Sequence, residues 1–338
     1  MIREAVEKIV GGQNLTFEEA KTVMNEIMSG KTSETMISAY LVALRMKGET
    51  IDEISGSAQG MRDNAVRLEH DMDVLEIVGT GGDRSNTFNI STTSAFVVAA
   101  AGCKVAKHGN RGVSSKSGAA DMLEALGADI TISPERSREI LDKVGFCFLF
   151  AQKYHSAMRF VGPVRGELGM RTVFNILGPL TNPAYAKKDI IGVYDESLVK
   201  PIAQVLVKLG VKRGMVVYGQ DTMDEITPSA KTTACEIKDG ETRMLEINPE
   251  DFGIAICQKS ELEGGDGAEN ARIAKDILSG KLQGAKRDAV LLNAGACIYI
   301  DKEDISYAKA IDMAREMIDS GKALKKMEEY VKATREKE

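Results

Sequence analysis

The chain has 338 residues, of which 43% are apolar and 28% charged, and a formal net charge of −6. These proportions exclude a disordered protein and suit one or two packed domains, while the acidic balance argues against nucleic acid as the main ligand. No apolar run is long enough to span a bilayer, and the N-terminus enters an amphipathic pattern with no secretory apolar core, so neither a membrane nor export is expected.

From Ile2 to about Met61 the apolar spacing is helical. Thr16 begins one helix, with Glu19 three residues later completing a capping box, and the helical stretches 18–28, 33–46 and 51–61 follow. Strand patterns are missing here, so residues 1–70 are expected to form a small all-helical domain.

At Val74 the pattern changes. A β-prone run at 74–78 ends in a glycine loop, and a helix at 91–101 and a short strand at 103–106 follow. Next come a helix at 117–126, a brief strand or extended link at 130–132, a helix opened by Pro134, and an apolar strand at 146–150. The alternation lapses between 152 and 183, part of which is expected to rejoin the helical domain. It resumes with a strand at 190–194, a helix at 198–209 and a strand at 215–218. A hairpin of 235–237 with 242–246 comes next, and helices from about Ala268. The expected fold is α/β: a small all-helical N-terminal domain, joined by part of 152–185, plus a larger domain over 71–338 with a mostly parallel central sheet flanked by helices.

The chemistry concentrates in two glycine- and hydroxyl-rich elements, each following a strand. Gly79-Thr80-Gly81-Gly82-Asp83 offers bare amides that a phosphate can approach, and Asp83 suits a metal-bound water or a ribose hydroxyl. Asn89, Ser91 and Thr92 lie in the first turn of the next helix, a seat for diphosphate or, for any one of them, a plain N-cap. The run is not a Walker A loop. Arg84 stands where a dinucleotide fingerprint needs its last glycine. Lys107, His108, Asn110 and Arg111 cluster at the end of the second strand, where cations complement phosphate and Asn110 and His108 can bond a planar polar ligand. Asp224-Glu225 is an acidic pair just past a strand, suited to Mg²⁺ beside a polyphosphate. His155 and Arg165 flank the irregular middle, where an arginine can grip a carboxylate. The five dispersed cysteines include no Cys-x-x-Cys pair, so reduced thiols in the cytoplasm are expected.

Together with Arg171-Thr172-Val173-Phe174-Asn175-Ile176-Leu177-Gly178-Pro179-Leu180-Thr181-Asn182-Pro183, these motifs resemble the anthranilate phosphoribosyltransferase family over nearly the whole chain. The resemblance implies a cytoplasmic homodimer joined through the helical domain. It also implies transfer of phosphoribosyl from phosphoribosyl pyrophosphate to anthranilate in tryptophan biosynthesis. By matching position it implies that Gly79, Gly82, Asp83, Thr87, Asn89, Ile90, Ser91 and Thr92 contact phosphoribosyl pyrophosphate. So do Lys107, His108, Gly109, Asn110, Arg111, Gly112, Val113, Ser114 and Ser115, with Ala119 through its backbone alone. Ser91 would hold one Mg²⁺, and Asp224 with Glu225 a second. Gly79, Asn110, Arg165 and His155 would face anthranilate. No general base is implied, and Lys107, His108 and Asn110 would act by positioning, while Lys116 has no assigned role. The rival readings are a pyrimidine-nucleoside phosphorylase and a non-catalytic nucleic-acid-binding relative of the fold.

Overall fold

The computed structural model describes residues 1–112 and 115–336. Four helices open the chain: α1 (Ile2–Val10), α2 (Phe17–Met28), α3 (Glu34–Lys47) and α4 (Ile51–Asp63). Thr16 and Thr50 start α2 and α4 with capping boxes whose returning carboxylates are Glu19 and Glu53. Glu53 is wholly buried, and it also accepts from Leu15 N and from Lys47 Nζ, each at 2.9 Å. One carboxylate thus ties the ends of α3 and α4 to the turn between α1 and α2.

The α/β part begins with β1 (Leu75–Gly79), α5 (Ile90–Ala100), β2 (Val105–Gly109), α6 (Ala119–Leu126), α7 (Pro134–Val144) and β3 (Phe146–Phe150). Short pieces, α8 (Ala151–Tyr154), α9 (Gly162–Leu168) and α10 (Phe174–Leu177), fill the irregular segment. Then come β4 (Lys188–Gly192), α11 (Val199–Lys208), β5 (Arg213–Gly219) and the hairpin β6 (Thr232–Lys238) and β7 (Glu241–Ile247). Four helices close the chain: α12 (Gly267–Leu278), α13 (Ala285–Asp301), α14 (Tyr307–Asp319) and α15 (Lys322–Arg335). Residues 130–132 are neither strand nor extended link. The Asp129 carboxylate takes the Thr131 amide and hydroxyl at 2.8 and 2.7 Å and closes a turn there.

The sheet runs β3-β2-β1-β4-β5-β6-β7, parallel from β3 to β5 and antiparallel through the hairpin. The chain builds outward from β1 to β3, then returns to place β4 on the other side of β1. That reversal leaves a crevice at the carboxyl ends of the strands, where ligands of open α/β sheets are held. One face of the sheet packs on α5, α6 and α12 to α15, in a core that includes Phe96, Phe146 and Tyr330. On the other face α11 joins the core of the helical bundle, together with Val161, Val164 and Phe174 of the irregular segment. Strand limits differ from expectation by a few residues: β2 begins two residues later, and β4 and β5 two residues earlier. The shift of β2 matters because Lys107 and His108 now lie within the strand, not in the turn after it. Both are buried, with the Lys107 ammonium and the His108 backbone amide met by residues distant in the chain.

Replacing Glu53 by alanine removes one partner of a buried ion pair along with the α4 cap. The expected cost is about 3 kcal/mol, read as a lower urea midpoint at fixed protein concentration. An unchanged midpoint would show that the helical bundle does not depend on this carboxylate.

Candidate active site

The turn after β1 is set by close approach. A Cβ at Gly79 would lie 2.5 Å from Asp224 Oδ2, so any side chain there would displace the Asp224 carboxylate. Gly81 and Gly82 follow with left-handed φ values of 68° and 77°, and Gly81 N donates to Asp224 Oδ2 at 2.6 Å. Thr80 N donates to Gly192 O at 2.9 Å, which fastens the loop to β4. At its far end Thr87 bridges Glu263, and Phe88 N donates to Leu262 O. From the irregular segment, Arg171 lays its guanidinium 4.0 Å from the Tyr194 ring centroid and donates to Gly82 O at 2.7 Å.

The first turn of α5 is where the two glycine-rich elements meet. Lys107 is 2% exposed, and its ammonium donates to Ile77 O at 2.5 Å and to Ser91 Oγ at 3.2 Å. Ser91 N in turn faces Glu225 Oε1 at 3.3 Å. Asn89 makes no side-chain cap bond. Its Oδ1 accepts from Ser117 Oγ at 3.2 Å and from Asn270 Nδ2 at 2.9 Å, so it braces the loop before α6 against α12. Ile90 and Thr92 are buried, and the Ile90 amide already donates to Phe88 O at 2.7 Å, so of the two only the Thr92 amide is left for a ligand.

Past β2, Asp121 Oδ2 accepts both Gly112 N and Gly118 N at 2.8 Å and holds the two ends of that loop together. Arg111 departs from expectation. Its guanidinium is taken by Asp121 at 3.2 Å and Glu124 at 2.8 Å, because α6 places both acids beside it. Asn110 is exposed and accepts from its own neighbour, Arg111 N, at 2.8 Å. Ser115 donates to Ser117 O, Lys116 is exposed, and Ala119 opens α6. Val113 and Ser114 lie outside the described residues.

His108 and His155 are both buried, with ring centroids 5.0 Å apart. Burial, then the neighbouring His155 and Lys107, push His108 well below the usual imidazole range. Burial lowers His155 to about 4, so both rings are neutral at pH 7. His155 Nε2 lies 3.0 Å from Thr181 O, whereas His108 Nε2 is buried with no partner among the described residues. Arg165 stands apart on α9, half-buried with its guanidinium 5.6 Å from the Phe174 ring centroid. Among the described residues no hydrogen bond or ion pair joins it to Gly79, Asn110 or His155.

Burial first, and then the charge of Asp83, push the Asp224 carboxyl up to about 7; burial and Asp224 raise Glu225 as well. Asp83 Oδ2 is buried with no hydrogen-bond partner among the described residues. Three hard carboxylates crowd together here, short of positive charge. No group of three metal-ligating side chains among the described residues is close enough to hold an ion unaided. Mg²⁺ keeps several waters and needs only one or two carboxylates beside substrate phosphates, so this donor set fits it.

Several residues at the site escaped the sequence reading. Asp121 had a signal, lying three residues after Gly118 at a helix start. Asn270, Glu76, Asn182 and Arg171 had no role assigned. The partners of the first two lie 181 and 106 residues away in the chain, beyond any local pattern.

Residues 3–65 match the helical bundle domain of the glycosyl transferase family, and residues 71–324 match its a/b domain. The chain is 58% identical to the anthranilate phosphoribosyltransferase of Lachnoclostridium phytofermentans, over 98% of both chains. It is 56% identical to that of Methanobrevibacter smithii over 99% of both. Among solved structures, the Thermus thermophilus enzyme superposes with a TM-score of 0.93 at 43% identity, covering 98% of this chain and 99% of that one. The Saccharomyces cerevisiae enzyme, solved in complex with phosphoribosyl pyrophosphate and Mg, gives a TM-score of 0.91 at 29% identity, covering 98% and 97%. With a phosphate-ready crevice of this build and similarity that runs from end to end, the chain belongs to the anthranilate phosphoribosyltransferase family.

Proposed function

We infer that this protein transfers the phosphoribosyl group of phosphoribosyl pyrophosphate to the amine of anthranilate. The products are N-(5-phosphoribosyl)anthranilate and diphosphate, and the step belongs to tryptophan biosynthesis. The observation that carries this is the meeting of the Gly79–Asp83 turn, the first turn of α5, Lys107 and the Asp224-Glu225 pair at the carboxyl edge of one sheet.

The phosphoribosyl pyrophosphate site is formed by Gly79, Gly82, Asp83, Thr87, residues 89–92, residues 107–115 and Ala119. The Arg111 guanidinium is engaged on α6 and its amide on Asn110 Oδ1, so its contact with the substrate would require one of them to be released. Ser91 would hold one Mg²⁺, and Asp224 with Glu225 a second. Bound there, the metal supplies neutralisation of the charge that gathers on the departing diphosphate. Lys107 and the Thr92 amide stabilise the same charge from the protein side, and they are already oriented before the bond breaks. The amine of anthranilate is neutral at pH 7, so no residue has to remove a proton before attack. Arg165 receives the carboxylate of anthranilate as a bidentate fork, and Gly79, Asn110 and His155 are the other residues assigned to that substrate. His108 and His155, being neutral, add no charge that would oppose a cationic ribosyl centre. Approach of the helical unit would exclude the water that otherwise hydrolyses the sugar.

The helical domain spans 1–70 with part of 152–185, and the α/β domain spans 71–338; shared burial of Val161, Val164 and Phe174 with the first four helices supports this division. A homodimer through the helical domain is supported by Val10 and Met46, which stand 74% and 83% exposed at the ends of α1 and α3. The free state of all five cysteines supports a reducing cytoplasm, which fractionation of source cells would check. Among the described residues no helix is long and apolar enough to cross a membrane.

In a fluorescence assay of anthranilate consumption, changing Asp224 and Glu225 together to alanine should lower turnover by about a hundredfold or more and flatten the response to Mg²⁺. Retention of near-wild-type, Mg²⁺-dependent turnover would remove both residues from the metal site. Arg165→Ala should raise the KM for anthranilate by roughly ten- to a hundredfold and leave that for phosphoribosyl pyrophosphate within about twofold. Equal rises in both would reject its assignment. Light scattering should return twice the 36.6 kDa chain mass, falling to one chain mass for Met46→Glu with Val10→Glu. An unaltered mass for that variant would place the interface elsewhere.

A further inference from the structure

β1 and β2 are neighbours in the sheet, yet their registered pairing is confined to Leu75↔Val105, whereas β1 with β4 and β2 with β3 pair along their full length. The ladder starts normally, with Leu75 N donating to Lys104 O at 2.8 Å. Bonds in a parallel ladder repeat every two residues, so the next should run from Ile77 N to Ala106 O and from His108 N to Ile77 O. Neither forms, and side chains occupy all four groups instead. His108 N donates to the two carboxylate oxygens of Glu76 at 3.1 and 3.0 Å, and Ile77 N faces the same carboxylate. Ile77 O takes the Lys107 ammonium at 2.5 Å. Ala106 O takes Asn182 Nδ2 at 2.7 Å, and that nitrogen also donates to Glu76 Oε2.

A carboxylate and an amide therefore stand where two ladder bonds belong, at the point where the two substrate loops leave the sheet. Glu76 and Asn182 are almost wholly buried, as are Asp189, the β4 register partner of Glu76, and Arg62 of α4. Arg62 donates to Leu180 O at 2.8 Å, two residues before Asn182. A carboxyl buried this way, pushed up to about 8 by its burial, is costly unless it is fully bonded, and plain strand pairing would have been available at no such cost. The Asn182 side chain is also locked, since its Oδ1 accepts from Ala184 N at 2.7 Å.

We propose that Glu76 and Asn182 are positioning residues for the phosphoribosyl pyrophosphate site: together they wedge β1 from β2, set the distance between the Gly79–Asp83 and Lys107–Gly112 turns, and hold Lys107 toward Ser91. The proposal rests on the phosphoribosyl-transfer reading. The effect should be uneven, because most residues of the two wedged loops are assigned to phosphoribosyl pyrophosphate, whereas Arg165, which would grip the anthranilate carboxylate, belongs to α9 and only Gly79 and Asn110 border both substrates.

The test compares Glu76→Gln with wild type in steady-state assays with both substrates, alongside thermal melting. Glutamine keeps the length and one acceptor for His108 N, but it turns an amide toward the Asn182 amide. The expected result is a KM for phosphoribosyl pyrophosphate raised about tenfold and a KM for anthranilate within about twofold. Asn182→Ser leaves the carboxylate in place and removes only the amide between Ala106 and Glu76. It should give the same split at smaller size, and it carries the test if Glu76→Gln does not fold. Unchanged KM values in a folded variant, or equal rises in both with a lowered melting temperature, overturn the proposal. A folded wild type that consumes no anthranilate with phosphoribosyl pyrophosphate and Mg²⁺ would instead sink the transfer reading, and the proposal with it.

Discussion

A lysine ammonium nearly sealed from water is the constraint to which the rest of this site answers. Burying Lys107 works against its charge, and the structure offsets that with a backbone carbonyl, a serine hydroxyl and surrounding carboxylates, Glu76 and Glu225 foremost. Its ammonium thereby joins β1, β2 and the start of α5 at one point. On the opposite flank the negative groups outnumber their partners. Asp83 Oδ2 has no hydrogen-bond partner among the described residues, and burial and Asp83 push the Asp224 carboxyl up to about 7. A single unmet buried acceptor costs about 1–3 kcal/mol. Anionic substrate with a divalent cation relieves both flanks at once.

Much of this was readable from the chain because phosphate chemistry leaves short-range marks. Glycines at 79, 81 and 82, the helix start at Asn89 to Thr92 and the doublet Asp224-Glu225 are each local, and each lies where it was expected relative to a strand end. The strand limits were less legible for a physical reason. Lys107 and His108 have the composition of a turn, and they become strand residues only because Ile77, Ser91 and Glu76 satisfy them from elsewhere in the sequence. Arg111 shows the reverse case. Its charge suggested a phosphate partner, but the turn of α6 that brings Asp121 and Glu124 beside it was invisible without the packed helix. Asn182 was quoted as part of a motif, yet its role depends on a strand gap that no single segment encodes.

The contact between Arg171 and Gly82 O has a thermodynamic consequence. The glycine turn that would seat phosphate is tied to the short-helix segment bearing Arg165, where the aromatic acid would dock. Any ligand that draws the turn into a new position must therefore share its free energy with that segment, and linkage runs equally in both directions. Filling either half of the pocket should alter the affinity of the other half by one common factor, through this tie as well as through Gly79 and Asn110, which are assigned to both molecules.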